Sequence, residues 1–245
     1  MDTEYRGLDS GIFILIVGPE QKQLVVQRDV LTMIPYFKTA LSSGRFTESA
    51  NTTFQLPEDN AKAVAEVLYS TYTGTVEGLP RQDDDGFENA FEDVGLVASY
   101  IHAYIVADKY KAEKAANHYL DGLVQYYQNF VVHPHHLGTL SKAGLQHSSL
   151  YDLLLRDIAW SLKDEYWLNM DLPCVDGDKF TIFSEACRQM SVNDMWQVAL
   201  ATSRGQYKAG DKSPIRLARE NLCKLHKHDL TTRCGAQEKD GDDKN

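Results

Sequence analysis

The chain has 245 residues, 43% hydrophobic and 24% charged, ordinary values for a globular protein with room for one large domain or a standard domain plus an extension. Thirty-five acidic residues against 25 basic ones give a formal charge of −10. That balance argues against a broad nucleic-acid footprint, because phosphate binding needs clustered positive charge. No window approaches the apolar length of a membrane span, and the acidic start Met1-Asp2-Thr3-Glu4 is unlike a signal peptide. The four cysteines (Cys174, Cys187, Cys223, Cys234) are too few and too late for a disulfide framework. These readings predict an intracellular protein, cytoplasmic or nuclear, with no membrane and no nucleic acid as partner.

In chain order, Ile12–Val17 is an apolar, β-branched run broken by Gly18-Pro19-Glu20-Gln21, and Gln23–Gln27 follows. Two short strands around turn chemistry predict a hairpin. Asp29 is placed to cap a helix in which Val30, Met33, Ile34, Phe37 and Leu41 recur at spacings of three and four. Pro35 divides that stretch into a short helix ending near Ile34 and a second starting at the proline. Ser42-Ser43-Gly44 ends it, and Thr52–Leu56 is a third strand candidate. Pro57-Glu58-Asp59-Asn60 begins a helix lined by Ala61, Val64, Ala65, Leu68 and Tyr72 and stopped at Thr73-Gly74.

From Thr75 to Asp93 periodicity lapses. Asp83-Asp84-Asp85-Gly86 reads as a solvated loop, since it lacks the ligand spacing and closing Glu of a calcium loop. Amphipathic helices are expected over Leu96–Val106 and Ala115–Val124, then around Leu150–Leu162, Ile182–Met190 and Val192–Ala201. His133-Pro134-His135-His136 reads as a helix start, because proline interrupts it and no cysteine is near. After Ser203 the chain turns polar, and Glu238–Lys244 reads as a disordered end.

Seven of these pieces, in order, resemble a BTB/POZ domain. They are Ile12–Gly18, Arg28-Asp29-Val30-Leu31, Pro35-Tyr36-Phe37, Ala40-Leu41 with Gly44-Arg45-Phe46-Thr47-Glu48-Ser49, Leu56-Pro57-Glu58-Asp59, Tyr72-Thr73-Gly74, and Val106-Ala107-Asp108-Lys109-Tyr110. The whole chain is similar to the short BTB-only proteins of fungi. The resemblance implies an α+β fold, a three-stranded sheet packed with a helical cluster, followed by an all-helical C-terminal region. It implies a BTB/POZ domain over 8–130 with an acidic loop insertion at 76–95, a helical extension over 131–203 and a polar tail over 204–245. It also implies a protein-interaction module that serves as a substrate adaptor for a cullin-based ubiquitin ligase. The alternative is a non-catalytic scaffold, or a transcription-associated interaction protein, that binds no cullin.

On that resemblance Phe46 is an apolar anchor for the cullin, Glu48 a polar contact beside it and Tyr110 a further residue of the same surface. Partners are then a cullin, a substrate protein and, as in many members of the family, a second copy. The chain departs from the family at Gln27 and Ile34, where His and Ser are usual, and in its displaced acid Asp9, a position that lies in the family's dimer interface.

Cys223, His226, His228 and Cys234 are zinc-ligand residue types within twelve positions, although their spacing is not that of a standard finger. Two readings stand: a small zinc element, or free thiols and surface histidines in a frayed end, with no cofactor. Cys174 and Cys187 read as core thiols amid Phe180, Phe183 and Trp196. No nucleophile, base and orienter occur together in a recognised local context, and Asp164-Glu165 reads as the wet face of a helix, so catalysis is not expected.

Overall fold

A computed structural model describes residues 11–42, 52–76, 94–128, 130, 132–163, 188, 190–203 and 212–229. Phe46, Glu48, Asp83–Gly86, Asp164, Glu165, Cys174, Cys187, Cys234, the end at Glu238–Lys244 and nearly all of the helix expected over Ile182–Met190 lie outside them. The described elements are mixed α and β: one three-stranded sheet and nine α-helices.

The hairpin forms as expected. Strands β1 (Ile12–Val17) and β2 (Lys22–Gln27) pair antiparallel, with Leu15 opposite Leu24 and Phe13 opposite Val26. Phe13, Leu15 and Val17 alternate into the core, the period of a half-buried strand. Strand β3 (Thr53–Leu56) adds on the other side of β1 in parallel, giving the order β2-β1-β3. Gly18 has φ +75°, and a Cβ there would meet the Asp59 carbonyl at 3.0 Å. Glycine therefore lets the end of β1 lie close against the chain that leads out of β3.

β2 runs directly into α1 (Arg28–Met33), so Gln27 is the capping position and supplies no side-chain cap. Asp29 is not the cap the sequence predicted. It sits in the first turn, where its charge still favours the helix dipole. Pro35 opens α2 (Pro35–Ser42), as expected. Asn60 Oδ1 accepts from Ala63 N–H at 3.0 Å to cap α3 (Ala61–Thr73), and Gly74, at φ +70°, closes it in the left-handed region.

α4 (Val94–Lys109) differs from the amphipathic helix expected. Val97, Tyr100, Ile101, Ala103, Tyr104, Val106 and Ala107 are all buried. The reason is its position: α3, α5 (Glu113–Tyr127) and α6 (Pro134–Lys142) all pack on it, and a helix covered on several sides is apolar on several sides. Pro134 opens α6 at its first position, with His133 as the cap residue. The histidines there are tied locally. His135 Nδ1 lies 2.5 Å from His133 Nδ1, and His136 Nδ1 lies 2.6 Å from the Tyr127 hydroxyl. Burial holds His133 down at about 4.

The second half of the chain is built on α7 (Ser149–Lys163), which packs against α6, α8 (Val192–Ser203) and α9 (Pro214–Arg219). α8 is anchored by Asp194, wholly buried. Its carboxylate accepts from the Tyr151 hydroxyl at 2.5 Å and from the Ser191 N–H at 3.1 Å, while Ser191 Oγ accepts from Asp194 N–H at 3.0 Å. That reciprocal pair is a capping box with an interhelical bond added.

Residues 212–229, read from the sequence as part of a polar tail, pack on the body instead. Ser213 caps α9, Ile215 is wholly buried, and the Ile215 N–H donates to Asp157 Oδ1 at 3.3 Å. Burial pushes the Asp157 carboxyl up to about 6, against the pull of the Ile215 amide and Ser213. A carboxyl raised in the folded state binds its proton more tightly there than in the unfolded chain. Its contribution is therefore favourable below the ordinary carboxylate range and is lost as pH rises from about 4 to about 6. In Asp157→Asn that loss is absent. The variant should gain on the wild type by on the order of 2–3 kcal/mol between those pH values, up to a plateau above them. Urea unfolding of both proteins across that range measures the difference, and the histidines common to both cancel from it.

Candidate functional site

The site is built outward from the sheet as a chain of aromatic rings. Phe13 packs on Phe54 at 5.8 Å between centroids, Phe54 on Phe37 at 5.3 Å, Phe37 on Tyr110 at 5.0 Å, and Tyr110 on Tyr36 at 4.9 Å. The path runs from β1 and β3 through α2 to the end of α4 and finishes at the surface. Tyr36 N–H donates to the Tyr110 carbonyl at 3.3 Å, joining the start of α2 to the end of α4.

Tyr110 lies inside this arrangement and not on its surface, with 1% of it exposed. Its hydroxyl donates to Asp59 Oδ2 at 2.5 Å, and Lys109 Nζ reaches both oxygens of the same carboxylate at 2.8 and 3.0 Å. Burial, with Asp59 as hydrogen-bond partner and charge, holds the phenol well above its ordinary range. Tyr110 therefore supports the surface from beneath and is not itself part of it. The residue it supports is Tyr36, 45% exposed, beside exposed Met33. Sequence reasoning quoted Tyr36 only as part of a motif. The usable signal was helical phase, since Tyr36 and Phe37 are adjacent in α2 and only one of them can face the core.

Beside Met33 and Pro35 a cleft of about 280 Å³ opens between the α1–α2 junction, Ser70 and Thr71 of α3, and the turn from Lys111 to Ala115. Its lining combines the apolar Met33, Ile34 and Pro35 with Lys111, Glu113 and Lys114. A second exposed apolar stripe lies on α8, where Val192, Met195 and Trp196 are all exposed at spacings of three and four, the separation of neighbours on one helix face.

The described part of the C-terminal Cys/His segment is tied to α5. Asn117 and Lys227 form a reciprocal pair: Asn117 Nδ2 donates to the Lys227 carbonyl at 2.8 Å, and Lys227 N–H donates to Asn117 Oδ1 at 3.0 Å. Lys227 also pairs with Asp108 at the end of α4. His226 Nε2 lies 2.6 Å from Asp121 Oδ1, and Cys223 Sγ lies 3.3 Å from His228 Nε2. Cysteine and two histidines are thus neighbours, with His226 turned to a carboxylate. Among the described residues no three or more His, Cys, Asp or Glu converge as a metal-holding group. No helix of the described residues is long and apolar enough to cross a membrane.

Comparison of the chain with protein-family models, with curated proteins and with solved structures finds no match in any of the three.

The Asp59 node generates a stability prediction. Tyr110→Phe keeps the ring packing and removes the one hydroxyl donated to a buried carboxylate. It should cost about 1–3 kcal/mol in urea unfolding. Tyr36→Ala, with its ring half in solvent, should cost less.

Proposed function

We propose that this protein is a non-catalytic BTB/POZ-type adaptor that docks on a cullin through the face of α1 and α2 and holds a substrate protein through its helical half. The observation that carries the reading is the order of elements. A β1–β2 hairpin, a pair of short helices, a third strand parallel to β1, then α3, α4 and α5 follow one another among the described residues, an order that supports the resemblance. The exposed Tyr36, held by buried Tyr110, supports the docking part. Rigid aromatic anchors at the centre of a compact surface carry much of an interface's energy. Phe46 and Glu48 join this surface on sequence resemblance. The stripe Val192, Met195 and Trp196 supports the substrate-holding part, because an apolar helix face left in water fits a groove on another protein.

The test is capture of a purified cullin N-terminal fragment. Wild type should bind at about micromolar Kd. Phe46→Asp combined with Tyr36→Ala should abolish binding while leaving the helical circular-dichroism signal intact, and Trp196→Glu should leave it unchanged. Absence of wild-type binding in that concentration range sinks the adaptor reading in favour of a scaffold that touches no cullin.

The Cys223–His228 contact supports a separate proposal, a structural zinc held by Cys223, His226, His228 and Cys234. A separation of 3.3 Å suits two ligands of one tetrahedral ion. The His226–Asp121 bond is the carboxylate support that metal-bound histidines usually have, and it makes Nδ1 the ligating nitrogen. Native mass spectrometry at neutral pH should show the mass of one zinc on the wild type and none on Cys223→Ser. A metal-free wild type removes the proposal.

A further inference from the structure

The sheet ends in an open strand. Arg28 N–H donates to the Gly11 carbonyl at 3.0 Å, and Ile14 N–H donates away from β2, to the Thr52 carbonyl at 2.8 Å. With the observed register this makes Phe13–Val26 and Leu15–Leu24 the hydrogen-bonded pairs of the hairpin. The N–H groups of Gln23, Val25 and Gln27 therefore point away from β1, along an edge that no other described strand covers. Natural edges are usually blunted by an inward charge, a proline or a bulge. Between Gln23 and Gln27 this one has none of them, and Val25 at its middle is 69% exposed.

The edge is also self-complementary. Laid antiparallel against itself about Val25, the strand sets Val25 on Val25, Gln23 on Gln27, Leu24 on Val26 and, at the ends, Lys22 beside Arg28. Every position but the outermost meets its own kind. The like charges fall where the edge ends, and Lys22 already carries Glu20 as counter-ion at 3.3 Å. This register brings all three outward-facing residues into pairs, so none of the open N–H groups is wasted. A groove of about 420 Å³ runs beside the edge, between β2 and α3, with Tyr69 (49% exposed) and Tyr72 (69% exposed) on its far wall. Two copies would bring these tyrosines to the same seam, and exposed tyrosines are typical of interface cores.

We infer that a second copy of this chain docks on the β2 edge by antiparallel β2–β2 pairing about Val25, closing two three-stranded sheets into one continuous sheet around a two-fold axis. The pairing places two N–H···O=C bonds between the Val25 residues. On each side the Gln23–Gln27 pair adds two more, from Gln27 N–H of one copy to the Gln23 carbonyl of the other and from that Gln23 N–H back to the Gln27 carbonyl. The interface is isologous, since each contact recurs by symmetry. It does not depend on cullin binding or on zinc.

Sedimentation equilibrium of the full chain tests it. Wild type should dimerise reversibly with concentration. Val25→Lys places two like charges face to face on the axis and should raise the dimer Kd by about 10-fold or more. Val25→Pro removes the central donor without touching the β1 pairing and should act in the same direction. Circular dichroism checks that both variants fold, and since Val25 is exposed in the single chain, Val25→Lys keeps the test open if the proline variant does not. A wild type that stays monomeric overturns the inference. So does a dimer indifferent to Val25→Lys, which would assign dimerisation to another face.

Discussion

Asp59 is the constraint on which the first module rests. Its carboxylate is almost wholly buried, and a buried carboxylate is tolerable only when it is hydrogen-bonded and charge-paired. Tyr110 and Lys109, adjacent at the end of α4, supply both. The bond joins the chain entering α3 to the chain leaving α4, two points 51 residues apart. With that distance fixed, the Tyr110 ring closes over Phe37, Phe37 over Phe54, and the helices are held to the sheet through one file of aromatic contacts. The exposed face that Tyr36 presents follows from this file, so the surface is a consequence of the core.

Local chemistry was legible in the sequence and long-range polar pairing was not. The hairpin, the division of the first helical stretch at Pro35 and the stop at Gly74 all follow from residues within a few positions of each other. The depth of Tyr110 does not, because nothing around Asp-Lys-Tyr says that a carboxylate from another part of the chain will accept its proton. The same reasoning explains the C-terminal segment. Ser213-Pro214 is a capping residue followed by a helix-opening proline, a readable start signal. What holds the segment down is Asn117, Asp121, Asp108 and Asp157, polar side chains on helices far earlier in the chain. A polar composition looked like a solvated end, when its polar groups were instead matched to polar groups on the body.

Helix α4 gives the converse case. Its apolar residues were recognised, but periodicity alone assigned them one face. Three neighbouring helices bury them on several sides, and burial that complete is set by topology, which no short window contains. The exposed face of α2 shows the same limit. Tyr36 and Phe37 look equivalent in sequence, and it is the side of α2 that packs on Phe54 which leaves one in the core and the other half in water.

Polar ties and open apolar surface occur in both halves of the described chain, on different elements. The clasp of residues 212–229 on α5 and α7, and the Asp194 node between α7 and α8, close the helical half with hydrogen-bonded or ion-paired carboxylates. Among the described residues the sheet module has such a tie at Asp59, and it exposes Ile12, Val25, Met33, Tyr36, Tyr69 and Tyr72. Single exposed apolar residues are common on any protein. All of these but Ile12, however, fall on two surfaces, the β2–α3 edge and the α1–α2 face, with outward-facing backbone donors at the first and a supported aromatic at the second. The helical half keeps an open stripe of its own at Val192, Met195 and Trp196, so its carboxylate ties order the scaffold without covering every apolar face. The separation matters as well: the β2–α3 edge and the α1–α2 face use different elements, so the second copy and the different partner proposed for them would not compete for one surface.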